Sequence, residues 1–196
     1  MPTGVAMRDV REQLFDAAER VLLRDGPDAL TSRAVTTEAG CAKGVLHRHF
    51  TDFDAFLTEL VRDRIRRLAH QGDLLLGCVG RGAIADNLTG FLTDLFSSVA
   101  VAIVGLTISR DGLRARLRSS SPSGVPILTE AVAAIAGYLT AERDRGRLDA
   151  GADVDTLALT LIGSAHMLFA DRTGTPPSPE AVQRLARSVV PQTSVG

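Results

Sequence analysis

Tryptophan is absent from the 196 residues, tyrosine occurs once, and aromatic residues make up 4% of the chain. Alternating runs of Val, Ile, Thr and Tyr are missing as well, which argues against a β-sandwich or barrel and favours helix. The two cysteines, Cys41 and Cys78, are too few for a disulfide framework, and neither stands in a pair with metal-ligand spacing. A reducing, cytoplasmic compartment is expected, with no metal and no other cofactor. Neither sign of charge dominates: the formal net charge is −1, with 23% charged and 45% hydrophobic residues. That composition excludes both the disordered class and a basic chain that coats polyanions. No apolar core follows the first charges, as it would in a signal peptide, and the longest apolar run, Val99 to Ile108, is about half the roughly twenty residues of a membrane helix. Catalytic signatures are lacking too. There is no nucleophile elbow, phosphate loop or dinucleotide fingerprint, and Gly80-Arg81-Gly82 has no strand before it, so the chain is not expected to be an enzyme.

What is present is helical periodicity. Val10, Leu14, Ala17, Ala18, Val21 and Leu22 recur on one helix face, and Gly26-Pro27 is a strong stop. Thr31 can cap a short helix over Ser32 to Ala39, Gly40 breaks it, and a second short helix follows from Ala42 to Arg48. Thr51 and Asp54 stand in capping-box spacing, so a long helix is expected from Asp52 to Gln71 on the stripe Phe56, Leu57, Leu60, Val61, Ile65 and Leu68. Further helices are expected at Arg81–Ser98, Val99–Ser109 and Gly112–Ser119. A serine-rich loop follows to Gly124, then helices at Ile127–Arg145, Val154–Asp171 and, after the Gly/Pro-rich link Thr173 to Ser178, Pro179–Val190. Val154–Asp171 is apolar on most sides and is expected to be largely buried. The basic residues are 21 Arg and a single Lys.

Residues 31–50 form the informative constellation. A short helix, a glycine-containing turn and a second short helix make the unit that sets its second helix in the DNA major groove. Arg33, Lys43 and Arg48 outnumber the lone acid Glu38 here, although the whole chain is near neutral. His47 and His49 add donors. Two residues apart on a helix, they point about 200° apart and do not suit a shared metal. The run Arg62, Arg64, Arg66, Arg67 reads as a solvated helix face.

With those elements in view, residues 8–68 resemble the DNA-binding domain of the TetR family of bacterial transcriptional regulators. The matching features are the first helix ending at Gly26, the Thr31 cap, Ala39-Gly40, Lys43-Gly44, Leu46, the ring pair His47 and His49, and Phe50. The resemblance implies that Thr31, Ser32 and Arg33 meet phosphates or the groove, and that Ala42, Lys43, Gly44 and Val45 face base edges. His47, Arg48 and His49 would be further contacts. His47 stands where the family usually has Tyr, and Phe53 where it usually has a Lys. One cationic phosphate contact is thus missing, and weaker DNA affinity or salt dependence than in relatives is expected.

The implied fold is all-α: a three-helix helix-turn-helix domain, residues 8–68, joined by a long helix to a helical ligand-binding and dimerisation domain, residues 69–196. The implied activity is that of a homodimeric repressor released from a palindromic double-stranded operator by a small lipophilic effector. Its apolar, charge-poor pocket would use Phe91, Leu95, Phe96, Ile103, Leu106, Tyr138, His166 and Met167, residues that equally suit a plain core. The last two helices would pair with their mates through Leu157, Leu161, Ala165, Leu168, Leu185 and Val189. A TetR-like dimer with weak or lost DNA binding and a small helical ligand-binding protein are the alternatives.

Overall fold

Helix accounts for every regular element among the described residues, which in this computed structural model are 4–97, 100–118, 124–170 and 176–190, with side chains from residue 10 onward. The order is α1 Gly4–Asp25, α2 Ser32–Glu38, α3 Val45–His49, α4 Phe53–Gly77, α5 Ile84–Ser97, α6 Ala100–Ser109, α7 Asp111–Arg118, α8 Leu128–Asp144, α9 Val154–Phe169 and α10 Pro179–Val189. The expected helix ends at Ser98, Val99, Ser119 and Asp171 fall outside the described residues, as do 119–123 and 173–175 of the two expected loops. Among the described residues no single helix is long and apolar enough to cross a membrane.

The chain divides into two compact units. One holds 1–63 and 102–123, the other 64–101 and 124–196. The second short stretch, 102–123, therefore groups with the helix-turn-helix, whereas the sequence led us to expect a single division after residue 68.

In the first unit, the predicted face of α1 is buried from Leu14 to Leu22. Gly26 closes the helix at φ +83, a conformation that needs no Cβ, and its N–H reaches the Leu22 carbonyl at 3.1 Å. Thr31 caps α2 by accepting from the Ala34 N–H at 3.1 Å. At α4 the cap is Asp52, whose Oδ1 accepts from Ala55 N–H at 2.7 Å, rather than the expected Thr51. The helix begins one residue later than the capping-box reading places it, which moves the cap position by one. Leu113 and Leu117 bury one side of α7, and Gly112 meets α4 closely: a Cβ there would stand 2.9 Å from Oδ2 of Asp54.

The second unit packs α8 on α9, with α10 against both α5 and α9. Helix α4 runs on to Gly77, past the expected end near Gln71. Gly72 does not break it, and a Cβ at Gly72 would lie 3.2 Å from that of Ala134, so the glycine is placed where α8 comes close. Arg64 corrects the solvated-face reading of its arginine run: it shares the helix side of Leu57, Leu60 and Leu68 and is buried with them, while Arg66 and Arg67 are exposed. Helix α9 also departs from expectation. Val154, Ala158, Leu161, Ile162 and Ala165 bury one face, but Leu159 is 64% and Met167 75% exposed on the other.

A buried polar network ties α8 to the α4–α5 loop. Glu142 is fully buried and accepts from Arg147 Nη1 at 2.9 Å and from the Gly80 N–H at 3.1 Å. Tyr138 accepts from Asn87 Nδ2 at 2.9 Å, and the same amide donates to the Arg81 carbonyl at 2.8 Å. Burial above all, and then Glu142, holds the Tyr138 hydroxyl protonated well beyond its ordinary range. Losing the Glu142 carboxylate leaves the Gly80 N–H without its acceptor and the half-buried Arg147 without its partner. Glu142→Ala is therefore expected to lower stability by about 1–3 kcal/mol in urea unfolding, and Tyr138→Phe by about 1 kcal/mol. Negligible losses in both would show that the network is not holding the loop.

Candidate nucleic-acid interface

The helix-turn-helix is held from beneath by apolar side chains. Leu46 on α3 and Val35 on α2 are fully buried, and Phe50, just past α3, lies 6.0 Å from Phe15 of α1 and 5.0 Å from Phe56 of α4 between ring centroids. Arg11 places its guanidinium 4.5 Å over the Phe50 ring. The turn is tied as well. Gln13 donates to the Ala39 carbonyl at 2.9 Å, the Cys41 N–H reaches the Thr36 carbonyl at 3.0 Å, and Gly40 takes φ +64.

Helix α3 is shorter than the sequence suggests. Ala42, Lys43 and Gly44 form the turn that starts it, with the Val45 N–H on the Ala42 carbonyl at 2.9 Å. These three residues are exposed, together with His47 and Arg48; Val45 and His49 are half-buried. On α2, Thr31 and Arg33 are exposed and Ser32 is half-buried, its carbonyl accepting from the Thr36 hydroxyl at 3.0 Å. Of the expected DNA contacts, then, the structure gathers Arg33, Ala42, Lys43, Gly44, His47 and Arg48 as exposed groups of one helix-turn-helix. Among the described residues no ion pair engages Arg33, Lys43 or Arg48.

The one acid of the motif is neutralised from behind. Glu38 accepts from Arg20 at 2.7 Å and from Arg24 at 2.9 Å, both on α1. These hydrogen bonds, Arg20's first and then Arg24's, hold its carboxyl below the usual glutamate range. Arg24 itself, bonded to Asp25 and Glu38, stays charged at any accessible pH. The positive charge of α3 is thereby left without a nearby uncompensated carboxylate on α2.

Two cationic side chains that sequence reasoning missed reach this unit from α6–α7. Arg110 donates to the Leu30 carbonyl at 2.8 Å and sets its guanidinium 5.5 Å over the Phe53 ring. Arg116 pairs with Asp52 at 2.8 Å. The Asp52 carboxyl is held low first by the Ala55 N–H and then by Arg116. Phe53, which also stacks on Phe56 at 5.6 Å, is thus an aromatic seat for an arginine. No local signal joins residues this far apart in sequence.

The other candidates fall elsewhere. Leu95, Phe96 and Tyr138 are core, Ile103 and Leu106 are core of the first unit, and Met167 is exposed. His166 is half-buried, with its ring 6.1 Å from Phe96. Of these candidates Phe91 lines a groove between α4 and α5, whose walls also carry Asp86 and Asp94. Of the interface candidates, Leu161 and Ala165 are fully buried within this chain and cannot meet another, because they lie on the inner face of α9. Leu157, Leu185 and Val189 are half-buried and Leu168 is exposed. Among the described residues no group of three or more His, Cys, Asp or Glu could hold a metal ion.

Residues 14–60 match the family model described as bacterial regulatory proteins, tetR family. None of the curated proteins matches the chain. Solved structures share its fold over nearly the whole length. A protein from Rhodococcus sp. assigned to the TetR-family transcriptional regulators is 19% identical, covering 93% of this chain and 97% of that one with a TM-score of 0.69. NemR of E. coli in its reduced form is 16% identical over 95% and 100%, with a TM-score of 0.70. The multidrug binding protein EbrR, complexed with imidazole, is 18% identical over 94% and 97%, with a TM-score of 0.59.

Since the folded-state pKa of Glu38 is depressed, its ion pairs stabilise fully above the ordinary glutamate range and less as pH falls through the lowered value. Glu38→Gln is expected to lower the thermal midpoint at pH 7. The gap to wild type should close under acid. A gap that persists unchanged in strong acid would remove the ion pairs as its cause.

Proposed function

We infer from the tetR-family domain at residues 14–60 and from the unpaired basic face of α3 that this chain is a DNA-binding transcriptional regulator. The observation that carries the reading is the exposure of Arg33, Lys43, His47 and Arg48 on one helix-turn-helix whose only acid, Glu38, is held by two arginines of α1. Lys43 and Gly44 lead α3 into the major groove, where the missing Cβ of Gly44 lets the backbone approach base edges, and Arg33 and Arg48 take phosphates. Thr31 serves mainly as a cap. The regulator acts in the cytoplasm and represses by occupying a palindromic operator.

One α3 buries too little surface for specific binding, so two copies read two half-sites about 34–36 Å apart. The pairing face is the outer side of α9, where Leu159, Gly163 and Met167 are exposed, continued by Leu157, Leu168, Leu185 and Val189. A small molecule releases the DNA by binding the two spacings of the reading helices with different affinity. The resemblance to EbrR, a multidrug binding protein, supports a small-molecule effector.

Fluorescence anisotropy with duplexes drawn from the DNA upstream of its own gene, at two salt concentrations, tests the reading. Wild type should bind one such fragment specifically, Arg48→Ala should reduce the salt slope by about one unit, and Lys43→Ala should weaken specific binding by about tenfold. The absence of specific binding to any fragment would favour a dimer that has lost DNA binding. In sedimentation equilibrium Met167→Glu and Leu159→Glu, both exposed within the chain, should weaken self-association at least about tenfold while leaving the helical content unchanged, since a buried unpaired carboxylate at an interface core costs several kcal/mol. Unchanged association would move the dimer face off α9.

A further inference from the structure

Helices α4 and α5 leave a groove of about 290 Å³ between them, within the second compact unit. That volume sits near the lower end of the roughly 300–1,000 Å³ typical of small-molecule sites. Its apolar surface comes from Leu75 and Phe91, both nearly buried, and from Leu74, 60% exposed at the rim. The polar part has one sign of charge. Asp86 and Asp94 line the groove one turn to either side of Gly90, and no lysine or arginine lines it. Asp86 is shared with Gln183, at 2.8 Å, and Arg187, at 3.8 Å. Asp94 is exposed and, among the described residues, has no hydrogen bond or ion pair.

Gly90 decides that the groove is open. It lies inside α5, where glycine weakens a helix relative to any ordinary residue. Its backbone does not require glycine, since its φ is not positive, and a Cβ there would meet nothing within 4 Å. Neither conformation nor packing accounts for the residue. Gly90 lines the groove, one helical turn from each of the two carboxylates, and leaves room there that a side chain would take.

We propose that the α4–α5 groove binds a small organic cation, its charge beside Asp94 and its apolar body over Gly90 against Leu74, Leu75 and Phe91. Anionic ligands of similar size are rejected by the two carboxylates. As the chemistry of an effector, the proposal rests on the reading of the chain as a ligand-responsive regulator. Binding itself is measured without DNA, so its failure and the failure of DNA binding are separate results.

The probe is proflavine, a flat tricyclic cation, followed by its own fluorescence anisotropy; 9-anthracenecarboxylate, tricyclic and anionic, is the counterpart. Wild type should bind proflavine saturably and 9-anthracenecarboxylate at least about tenfold more weakly. Asp94→Lys should weaken proflavine about tenfold by replacing an attraction with a repulsion. Gly90→Leu should abolish binding while keeping or raising the thermal midpoint, because leucine favours helix and its Cβ has nothing within 4 Å. That separates a filled groove from a damaged fold. The proposal is overturned if neither substitution changes proflavine affinity, if both probes bind equally, or if no saturable binding occurs up to millimolar concentration.

Discussion

A helix of five residues, Val45–His49, cannot hold its own shape in water, because a nucleus fixes several dihedrals for a single hydrogen bond. Everything that α3 presents outward depends on what it is fastened to. The fastening is Phe50, wedged between Phe15 and Phe56, with Leu46 buried one turn earlier. In a chain so poor in aromatics, four of the seven phenylalanines, Phe15, Phe50, Phe53 and Phe56, lie in this unit. Ring pairs at these separations add direction to apolar burial, so they fix the angle of a short helix where aliphatic contacts alone would let it roll.

Once the helix is fastened, charge decides what it can meet. A carboxylate facing a polyanion is repelled, and two acids, one in the motif and one just past it, are answered by an arginine or a backbone group. Glu38 is held by Arg20 and Arg24, and Asp52 by the Ala55 N–H and Arg116. The stretch 102–118 contributes to this twice, through Arg116 and through Arg110 on Leu30 and Phe53. An aromatic ring at position 53 removes one cation from the start of α4, and Arg110 brings another to the same ring. Whether a duplex reaches that guanidinium depends on how firmly the Leu30 carbonyl keeps it.

The sequence made the local features legible because their causes are local. The Thr31 cap, the Gly26 stop and the buried face of α1 each follow from residues a few positions apart. What escaped is what depends on partners distant in sequence. The long helix reads as ending at Gln71 until Gly72 is seen beside Ala134, Arg64 reads as solvated until its helix side is known, and nothing near Arg110 names Leu30. The inner and outer faces of α9 are both apolar. Periodicity alone could not say that Leu161 and Ala165 face the core while Leu159 and Met167 do not. Of the groove only Phe91 was legible, because large apolar and ring side chains were the signal and Gly90, which leaves the room, carries none.

The groove and the buried network also share a residue, and this fixes how the groove can respond. Asn87 lines it, yet both donor bonds of its amide are committed, to the Tyr138 hydroxyl and the Arg81 carbonyl. Arg147 and Gly80 tie the same loop to Glu142, which has no exposure to water. The end of the groove nearest the loop is therefore rigid, since moving Asn87 would leave buried polar groups unpaired. At the other end Asp94 is exposed and bonded to nothing described. A cation arriving there gains its charge contact without breaking one. Adjustment to ligands of different length then falls to Asp94 and the exposed Leu74, and the same Asp94 carboxylate selects between charge signs.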